Sequence, residues 1–244
     1  MIDNLSIYFG KDIKITNNIT LHVPTIKEII EVGEFQYLHC VSMFTMTHLD
    51  ETAIVFLDSI GIDFSQITDW ELFVTLVKGF PMEVTKILFS NLDFSSFELY
   101  NDENNNLIIK NKDGIVITEP IYKILVQYMR KINNIPKPKF TKVKDNVKQK
   151  ALAVRYAKMK LEKETKKREG KEEQSFFLPF ISYLDFYFSL EEIKNMNSYR
   201  FWEIIKRNQA DKNAEHLYHG LYSGCLNLKD NPSISKEMNY LRDL

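Results

Sequence analysis

A strongly basic stretch constrains this chain more than any other feature of its sequence. Residues 135–168 contain 13 Lys and Arg but only 3 Asp and Glu. Such a composition cannot bury a core by itself, so we expect a long helix over residues 141–168 that connects two better-packed regions. Its weakly apolar seam consists of Val143, Val147, Ala151, Val154 and Leu161.

The regions on either side of this basic stretch are acidic. Residues 1–134 carry 10 Lys and Arg against 18 Asp and Glu, and residues 169–244 carry 9 against 12, so a net charge of −1 conceals a basic rod between two acidic regions. Two prolines within residues 133–138 end the preceding helix and mark the boundary. We predict a mixed N-terminal region over 1–134, a basic helical connector over 135–174 and a helical C-terminal region over 175–244.

Most of the remaining chain is expected to be helical. With only eight Gly and seven Pro, the chain lacks the turn residues of a large sandwich or barrel. Three helix starts are predicted by capping boxes, in which a Ser or Thr and a Glu three residues later satisfy each other's backbone N–H groups. These pairs are Thr25 with Glu28, Thr68 with Glu71, and Ser189 with Glu192. Pro81 and Thr118 mark the starts of two further helices, which run to about Phe89 and Lys131.

Two short stretches show the alternation that is typical of β-strands. Residues 2–23 alternate in short stretches, and an Asn17-Asn18 pair supplies a turn, which predicts a small β element. Residues 97–100, 107–109 and 115–117 predict a three-stranded meander. The predicted fold is therefore mainly α with a small β component, an α+β fold.

No motif in the chain predicts catalysis. Dinucleotide-binding glycines, a P-loop, a nucleophile elbow and a zinc-protease signature do not occur. His216-x-x-His219 has a metal-like spacing, but two further ligands would be needed, so ordinary helix packing is the preferred interpretation. Apolar runs such as 176–181 are far shorter than the roughly 20 residues that cross a bilayer, and residues 1–4 do not resemble a secretory signal. We expect a cytosolic protein that is not an enzyme, with no cofactor, metal site or membrane partner.

An aromatic cluster is the most unusual feature of the C-terminal region. Phe176, Phe180, Tyr183 and Tyr187 follow the spacing of one helical face, and Phe177, Leu184 and Phe188 form a neighbouring face. Two interpretations remain open: a central core helix, or a groove for an amphipathic helix of a client protein. In the second case Trp202 supplies the opposite wall.

The basic rod also has several possible roles. It can be a solvated connecting helix, or it can dock on an acidic surface that belongs to a partner, to another copy or to the chain's own N-terminal region. Binding to nucleic acid is less favoured, because the acidic regions would repel it and no DNA- or RNA-binding motif accompanies the charges. The candidate contact residues are Lys148, Arg155, Lys158, Lys166, Lys167 and Arg168.

Several motifs together resemble a known group of proteins. The motifs are PTIKEIIE-x-GE at 24–34, GIDF at 61–64, DWELF at 69–73, GLYSG at 220–224 and NYLRDL at 239–244. The chain is similar in these motifs to proteins from the tail modules of long-tailed phages and prophages of low-GC Gram-positive bacteria, a group that we associate with tail assembly chaperones.

This resemblance implies a factor that acts in the host cytoplasm during tail assembly and is absent from the mature virion. It would hold the tape measure protein until tail tube subunits polymerise around it, with no cofactor and no catalysis. Two alternatives remain: a structural virion protein of the tail or head-tail connector, and a phage protein that binds nucleic acid through the basic helix. Self-association is also expected, because a basic rod lies beside acidic regions.

Overall fold

The fold is described by a computed structural model over residues 3–90, 92–138, 147–169 and 174–226. Helix accounts for 61 % of the structure and strand for 8 %, which confirms the predicted α+β fold with mainly helix. The helices are α1 (Asn4–Tyr8), α2 (Ile26–Val32), α3 (Glu34–Thr45), α4 (Glu51–Ser59), α5 (Asp69–Leu76), α6 (Met82–Phe89), α7 (Glu119–Ile132), α8 (Val147–Arg168), α9 (Leu178–Leu184), α10 (Leu190–Asn195) and α11 (Ser198–Tyr222). The strands are β1 (Ile13–Lys14), β2 (Thr20–Leu21), β3 (Glu98–Asn101), β4 (Leu107–Lys110) and β5 (Val116–Ile117).

The predicted capping boxes are confirmed at all three helix starts. At α2 the hydroxyl of Thr25 accepts a hydrogen bond from the backbone N–H of Glu28, and the Glu28 carboxylate accepts one from the backbone N–H of Thr25. The same arrangement begins α5 and α10. The start of α7 differs, because Thr118 occupies the N-cap position but makes no hydrogen bond through its side chain.

Both predicted β elements are present as antiparallel sheets, but the first begins only at Ile13. The start of the range predicted for it is helical instead, because Asp3 caps α1 by accepting a hydrogen bond from the backbone N–H of Ser6. Strands β1 and β2 pair Ile13 with Leu21, and the turn between them is closed by backbone hydrogen bonds to the carbonyl of Ile19. Strands β3, β4 and β5 form a meander in which Ile109 pairs with Leu99 on one side and with Ile117 on the other. These short sheets cover the helical core rather than forming its centre.

One large hydrophobic core, the main core, contains side chains from both ends of the described chain. It includes Tyr37 and Phe44 of α3, which are fully buried, together with Phe177 beside α9 and Phe201 of α11. An isolated β-bridge between Thr25 and Asn197 also joins the N-terminal and C-terminal parts. The main core thus takes residues from both sides of the predicted connector, and the boundaries at 134 and 174 stay a prediction.

A second, smaller core lies between α4 and α8. Its fully buried members are Ala53, Ile54, Leu57, Phe64, Leu72 and Ala157. The basic helix is confirmed from Val147 onward, and residues 141–146 lie outside the described residues.

The predicted apolar seam of α8 is only partly correct. Val154 and Leu161 are half-buried, whereas Val147 is 83 % exposed and Ala151 is exposed. The side chain that α8 buries most completely is Ala157, because its small size permits close approach to α4. Val143 lies outside the described residues.

Candidate protein-binding surfaces

The aromatic segment forms a shorter helix than the sequence predicts. Helix α9 spans only Leu178–Leu184, with Phe176 before it and Tyr187 in the turn that follows. Two members of the predicted second face, Phe177 and Leu184, are buried in the main core, and Phe188 packs partly against it. The interpretation of this segment as a core element is therefore correct for that face.

A carboxylate from α3 fixes the start of the aromatic segment. Glu34 accepts hydrogen bonds from the hydroxyl of Ser175 at 2.6 Å and from the backbone N–H of Phe177 at 2.9 Å. It also accepts one from the backbone N–H of Phe176. Glu34 closes the first of the motifs on which the resemblance rests, so this motif positions the aromatic residues.

Three of the predicted partner-binding residues meet in an aromatic patch, which we define as Phe176, Phe180 and Trp202. The centroid of the Trp202 ring lies 5.9 Å from that of Phe176 and 5.1 Å from that of Phe180. Trp202 is 8 % exposed, whereas Phe176 is 47 % exposed. The indole Nε1 of Trp202 is buried and has no hydrogen-bond acceptor within the described part of the chain. A buried donor without a partner is unusual, since most buried polar groups are paired.

The other two predicted residues of this face form a separate contact. The rings of Tyr183 and Tyr187 lie 5.7 Å apart, and Nζ of Lys212 lies 4.4 Å from the centroid of Tyr183. A hydrogen bond with Tyr183 raises the pKa of the Tyr187 hydroxyl. The predicted face is thus divided into two ring pairs, Phe176 with Phe180 and Tyr183 with Tyr187. It is divided because the helix ends at Leu184 and the turn after it changes the direction of Tyr187.

The inner face of α8 contacts the acidic N-terminal region of the same chain. Its ion pairs are Lys150 with Asp63 at 2.9 Å, Lys158 with Asp58 at 2.7 Å and Lys160 with Glu51 at 2.7 Å. The sequence left open whether the basic helix docks on a partner, on another copy or on the chain's own N-terminal region. These ion pairs show that it contacts the last of the three. Lys158 was predicted to bind a partner, but in the structure it is paired with Asp58, because the helical repeat turns it toward α4.

The other predicted basic residues lie elsewhere on α8. Lys148, Arg155, Lys166 and Lys167 have exposed side chains, and the side chain of Arg168 lies outside the described residues. Exposed apolar side chains accompany them, namely Leu152 (61 %), Tyr156 (66 %) and Met159 (59 %). Sequence reasoning missed this apolar stripe, although the spacing i, i+4, i+7 was available as a signal.

A cavity of about 530 Å³ lies where the end of α3 and the start of α5 meet α7. Charged side chains line it, but the polar contacts of these side chains are made within the protein. They are His48 Nδ1 with Asp69 at 2.6 Å, Lys123 with Glu119 at 2.7 Å, and Arg130 with the carbonyls of Pro136 and Thr45. The buried hydroxyl of Thr47 has no partner among the described residues. This geometry assigns no reaction to the cavity.

The two cysteines are free, with Cys40 buried and Cys225 exposed. Burial raises the pKa of the Cys40 thiol to about 12, so this thiol is protonated at neutral pH and is a poor nucleophile. In residues 3–90, 92–138, 147–169 and 174–226, no three His, Cys, Asp or Glu side chains are grouped as a metal site. His219 instead lies 3.9 Å from Glu215, one turn earlier on α11. Among the helices that the structure describes, none is both long and apolar enough to cross a membrane.

Comparisons with known proteins find no relative: the chain matches no protein-family model, no curated protein and no solved structure. The surfaces described above and the sequence motifs are therefore the grounds for a functional proposal.

Proposed function

We propose that the protein is a phage tail assembly chaperone. It binds an amphipathic helical segment of the tape measure protein, and it acts without catalysis until tail tube subunits assemble. The aromatic patch of Phe176, Phe180 and Trp202 is the observation that carries this proposal. The motif resemblance supplies the class of client. On this proposal the protein acts in the host cytoplasm and leaves before the virion is complete.

The patch has the properties of a small protein-binding site. Large aromatic rings offer much contact area with little loss of side-chain freedom, and Trp and Tyr are enriched at the centres of interfaces. Leu178, which follows Phe176 closely in the chain, is 58 % exposed and extends the apolar surface. A client that buries one large apolar side chain here gains about 1.5–3 kcal/mol from transfer out of water.

The unpaired indole N–H gives the patch a polar contact as well. On this proposal, client binding rearranges the rings around Trp202, and its Nε1 then donates a hydrogen bond to a carbonyl or carboxylate of the client. A donor that is unsatisfied in the free protein and satisfied in the complex favours binding, because the cost of its burial is already present before the client arrives. Trp202→Phe keeps the ring and removes the donor, so it isolates this contribution.

The experiment is a tagged pull-down from phage-producing cells, with mass spectrometry of the bound proteins. Phe176→Ser with Phe180→Ser is expected to reduce recovery of the tape measure protein at least tenfold. Leu99→Ser with Tyr100→Ser is the matched control, because these two side chains are 52 % and 47 % exposed and lie on β3 of the meander, outside the patch. Circular dichroism and urea unfolding check that each variant remains folded.

Three outcomes contradict the proposal. If the Phe176 and Phe180 double variant still recovers the client as well as the control variant does, the patch is not the client site. If the protein is present in purified virions in stoichiometric amounts, it is a structural component rather than a chaperone. Recovery of phage DNA in place of tail proteins would favour nucleic-acid binding through α8, which would appear as a steep dependence on salt.

A further inference from the structure

The outward side of α8 forms a distinct surface, which we call the outer face. It consists of Leu152, Arg155, Tyr156, Met159, Lys163 and Lys166. At 3.6 residues per turn these positions lie on the side of the helix opposite Val154, Ala157 and Leu161, which pack toward α4. Three exposed apolar side chains therefore lie beside three basic ones. Glu162 lies at the edge of this face, where it lines a shallow depression together with Met159, Lys163 and Lys166.

A surface of complementary character lies in the C-terminal part of the same chain. The turn after α9 and the start of α10 carry exposed apolar and acidic side chains, and we call this surface the acidic knob. It consists of Asp185, Phe186, Tyr187, Leu190 and Glu191. Phe186 is 85 % exposed and Leu190 is 53 % exposed. Tyr187, between them in the chain, is 59 % exposed. Exposed apolar side chains that are grouped, rather than single, are typical of an interaction surface.

The geometry points to a head-to-tail contact between copies of this chain, in which the outer face of α8 on one copy binds the acidic knob of the next. The outer face is mainly basic, with Glu162 at its edge beside Met159. The knob carries two carboxylates, with Lys212 near Tyr187, so the two surfaces differ in their prevailing charge. The basic residues Arg155 and Lys163 flank Met159 on the outer face, and Asp185 and Glu191 flank Phe186 and Leu190 on the knob. This arrangement places apolar contacts at the centre and ion pairs at the rim, as in known interfaces.

A second copy fits these observations better than another occupant does. An anionic membrane or nucleic acid satisfies the positive charges of α8 but leaves the knob without a role. An acidic protein of another kind has the same shortcoming. A second copy uses both exposed surfaces at once, and the inner face of α8 already shows that this helix selects carboxylates, through its pairs with Asp58, Asp63 and Glu51.

The contact is heterologous, and this determines what assembles. Because the two surfaces are different, each copy has one free outer face and one free knob after pairing. Copies therefore add until a ring closes or a filament grows. This proposal does not depend on the identity of the client, since the aromatic patch of Phe176, Phe180 and Trp202 takes no part in it.

The test uses two variants of the full chain, each with one surface altered. Arg155→Glu with Lys163→Glu disables the outer face, and Asp185→Lys with Phe186→Ser disables the knob. Analytical ultracentrifugation of the wild type is expected to show a mass that rises with concentration and falls with added salt. Each variant alone is expected to associate at least tenfold more weakly. An equal mixture of the two variants is expected to form a heterodimer that grows no further, because only one functional pair of surfaces remains.

Lys112→Glu with Lys206→Glu is the matched control, since it makes the same charge change at exposed lysines outside both surfaces. The control is expected to associate as the wild type does. A monomeric wild type at all concentrations overturns the proposal, and so does a mixture that stays monomeric or grows beyond the dimer. A third result also overturns the proposal: the wild-type protein binds anionic vesicles or DNA, and the Arg155 and Lys163 changes leave self-association unaffected. The outer face would then belong to another partner.

Discussion

The two hydrophobic cores of this protein are built in different ways. In the main core the ring of Phe44 contacts four other aromatic rings, with centroid distances of 4.3 to 5.5 Å. In the smaller core α8 contributes one fully buried side chain, Ala157, and its remaining attachment to the body includes three partly exposed ion pairs. Exposed ion pairs contribute little to stability. We therefore expect α8 to open locally at a lower free energy than the main core.

Helix α5 connects the two cores. Its Leu72 is buried in the smaller core, whereas its Trp70 and Phe73 are buried in the main core. The indole N–H of Trp70 also donates a hydrogen bond of 3.1 Å to the carbonyl of Leu107, which attaches the meander to the same helix. A change confined to one core is thus expected to act locally, whereas a change to α5 is expected to act on both.

The largest effect is expected from Phe44→Ala. This change removes the ring at the centre of the aromatic cluster, so it should lower the free energy of unfolding by about 3–5 kcal/mol. Urea unfolding followed by circular dichroism measures the loss. Phe35→Ala is the matched control, because Phe35 lies on the same helix but is 49 % exposed, and about 0.5 kcal/mol is expected there. Equal losses for the two variants would show that the main core does not depend on this cluster.

A smaller and more local effect is expected from Ala157→Glu. Ala157 is 1 % exposed against α4, so a longer charged side chain must either separate the helices or be buried without a partner. The cost of overpacking such a site is typically about 1–3 kcal/mol. Hydrogen exchange should become faster in α8 while the amides of α3 remain protected.

Ala151→Glu provides the control on the same helix, because Ala151 is exposed and tolerates a longer side chain. If Ala157→Glu accelerates exchange in α3 as much as in α8, the two cores unfold as one unit. The expected difference in stability between the main core and the attachment of α8 would then be wrong.

The sequence predicts features that depend on neighbouring residues better than it predicts packing. The capping boxes at Thr25, Thr68 and Ser189 involve residues three apart, so the sequence contains everything needed to recognise them. The two β elements were predicted for the same reason. The seam of α8 was only partly predicted, because the close approach of α4 selects small side chains such as Ala157 rather than the most apolar ones.

The candidate surfaces show the same limit. The sequence indicated that Phe176, Phe180 and Trp202 belong together, and the structure places them in one patch. It could not indicate that Glu34 holds this segment at its start, since that contact joins residues more than 140 positions apart. The cavity beside His48 was also missed, because its walls come from three separate helices.

A modest effect on both cores is expected from Thr68→Ala. The change removes the side-chain cap of α5, so it should lower the free energy of unfolding by about 1 kcal/mol. Hydrogen exchange should increase in both α5 and α8, because Leu72 supports the smaller core. Thr118→Ala is the control, since Thr118 occupies the same position on α7 without a capping hydrogen bond. An equal loss in the two variants would mean that the cap is not the cause.

The smallest expected effect is a dependence of α8 on pH. The hydrogen bond from Lys160 lowers the pKa of the Glu51 carboxyl below its usual value of 4.5. A carboxyl with a lowered pKa in the folded state stabilises the fold fully above its unfolded pKa and loses that contribution as pH falls through the folded value. Protection of α8 amides, corrected for the intrinsic exchange rate, should therefore decrease as the pH falls below about 4.5.

The main core supplies the reference for this measurement, because its helix α3 is held by buried aromatic side chains rather than by ion pairs. Glu51→Gln should remove the Glu51 part of the pH dependence in α8 and leave the amides of α3 unchanged. A reversal of the pair, Glu51→Lys with Lys160→Glu, should restore a pH dependence of the same sign, because a carboxylate again faces an ammonium group. If Glu51→Gln keeps the full pH dependence, the pair of Glu51 with Lys160 does not cause it. The source would then be Asp63, whose carboxyl pKa is also lowered, by hydrogen bonds from the backbone N–H of Ser65 and from Lys150 of α8.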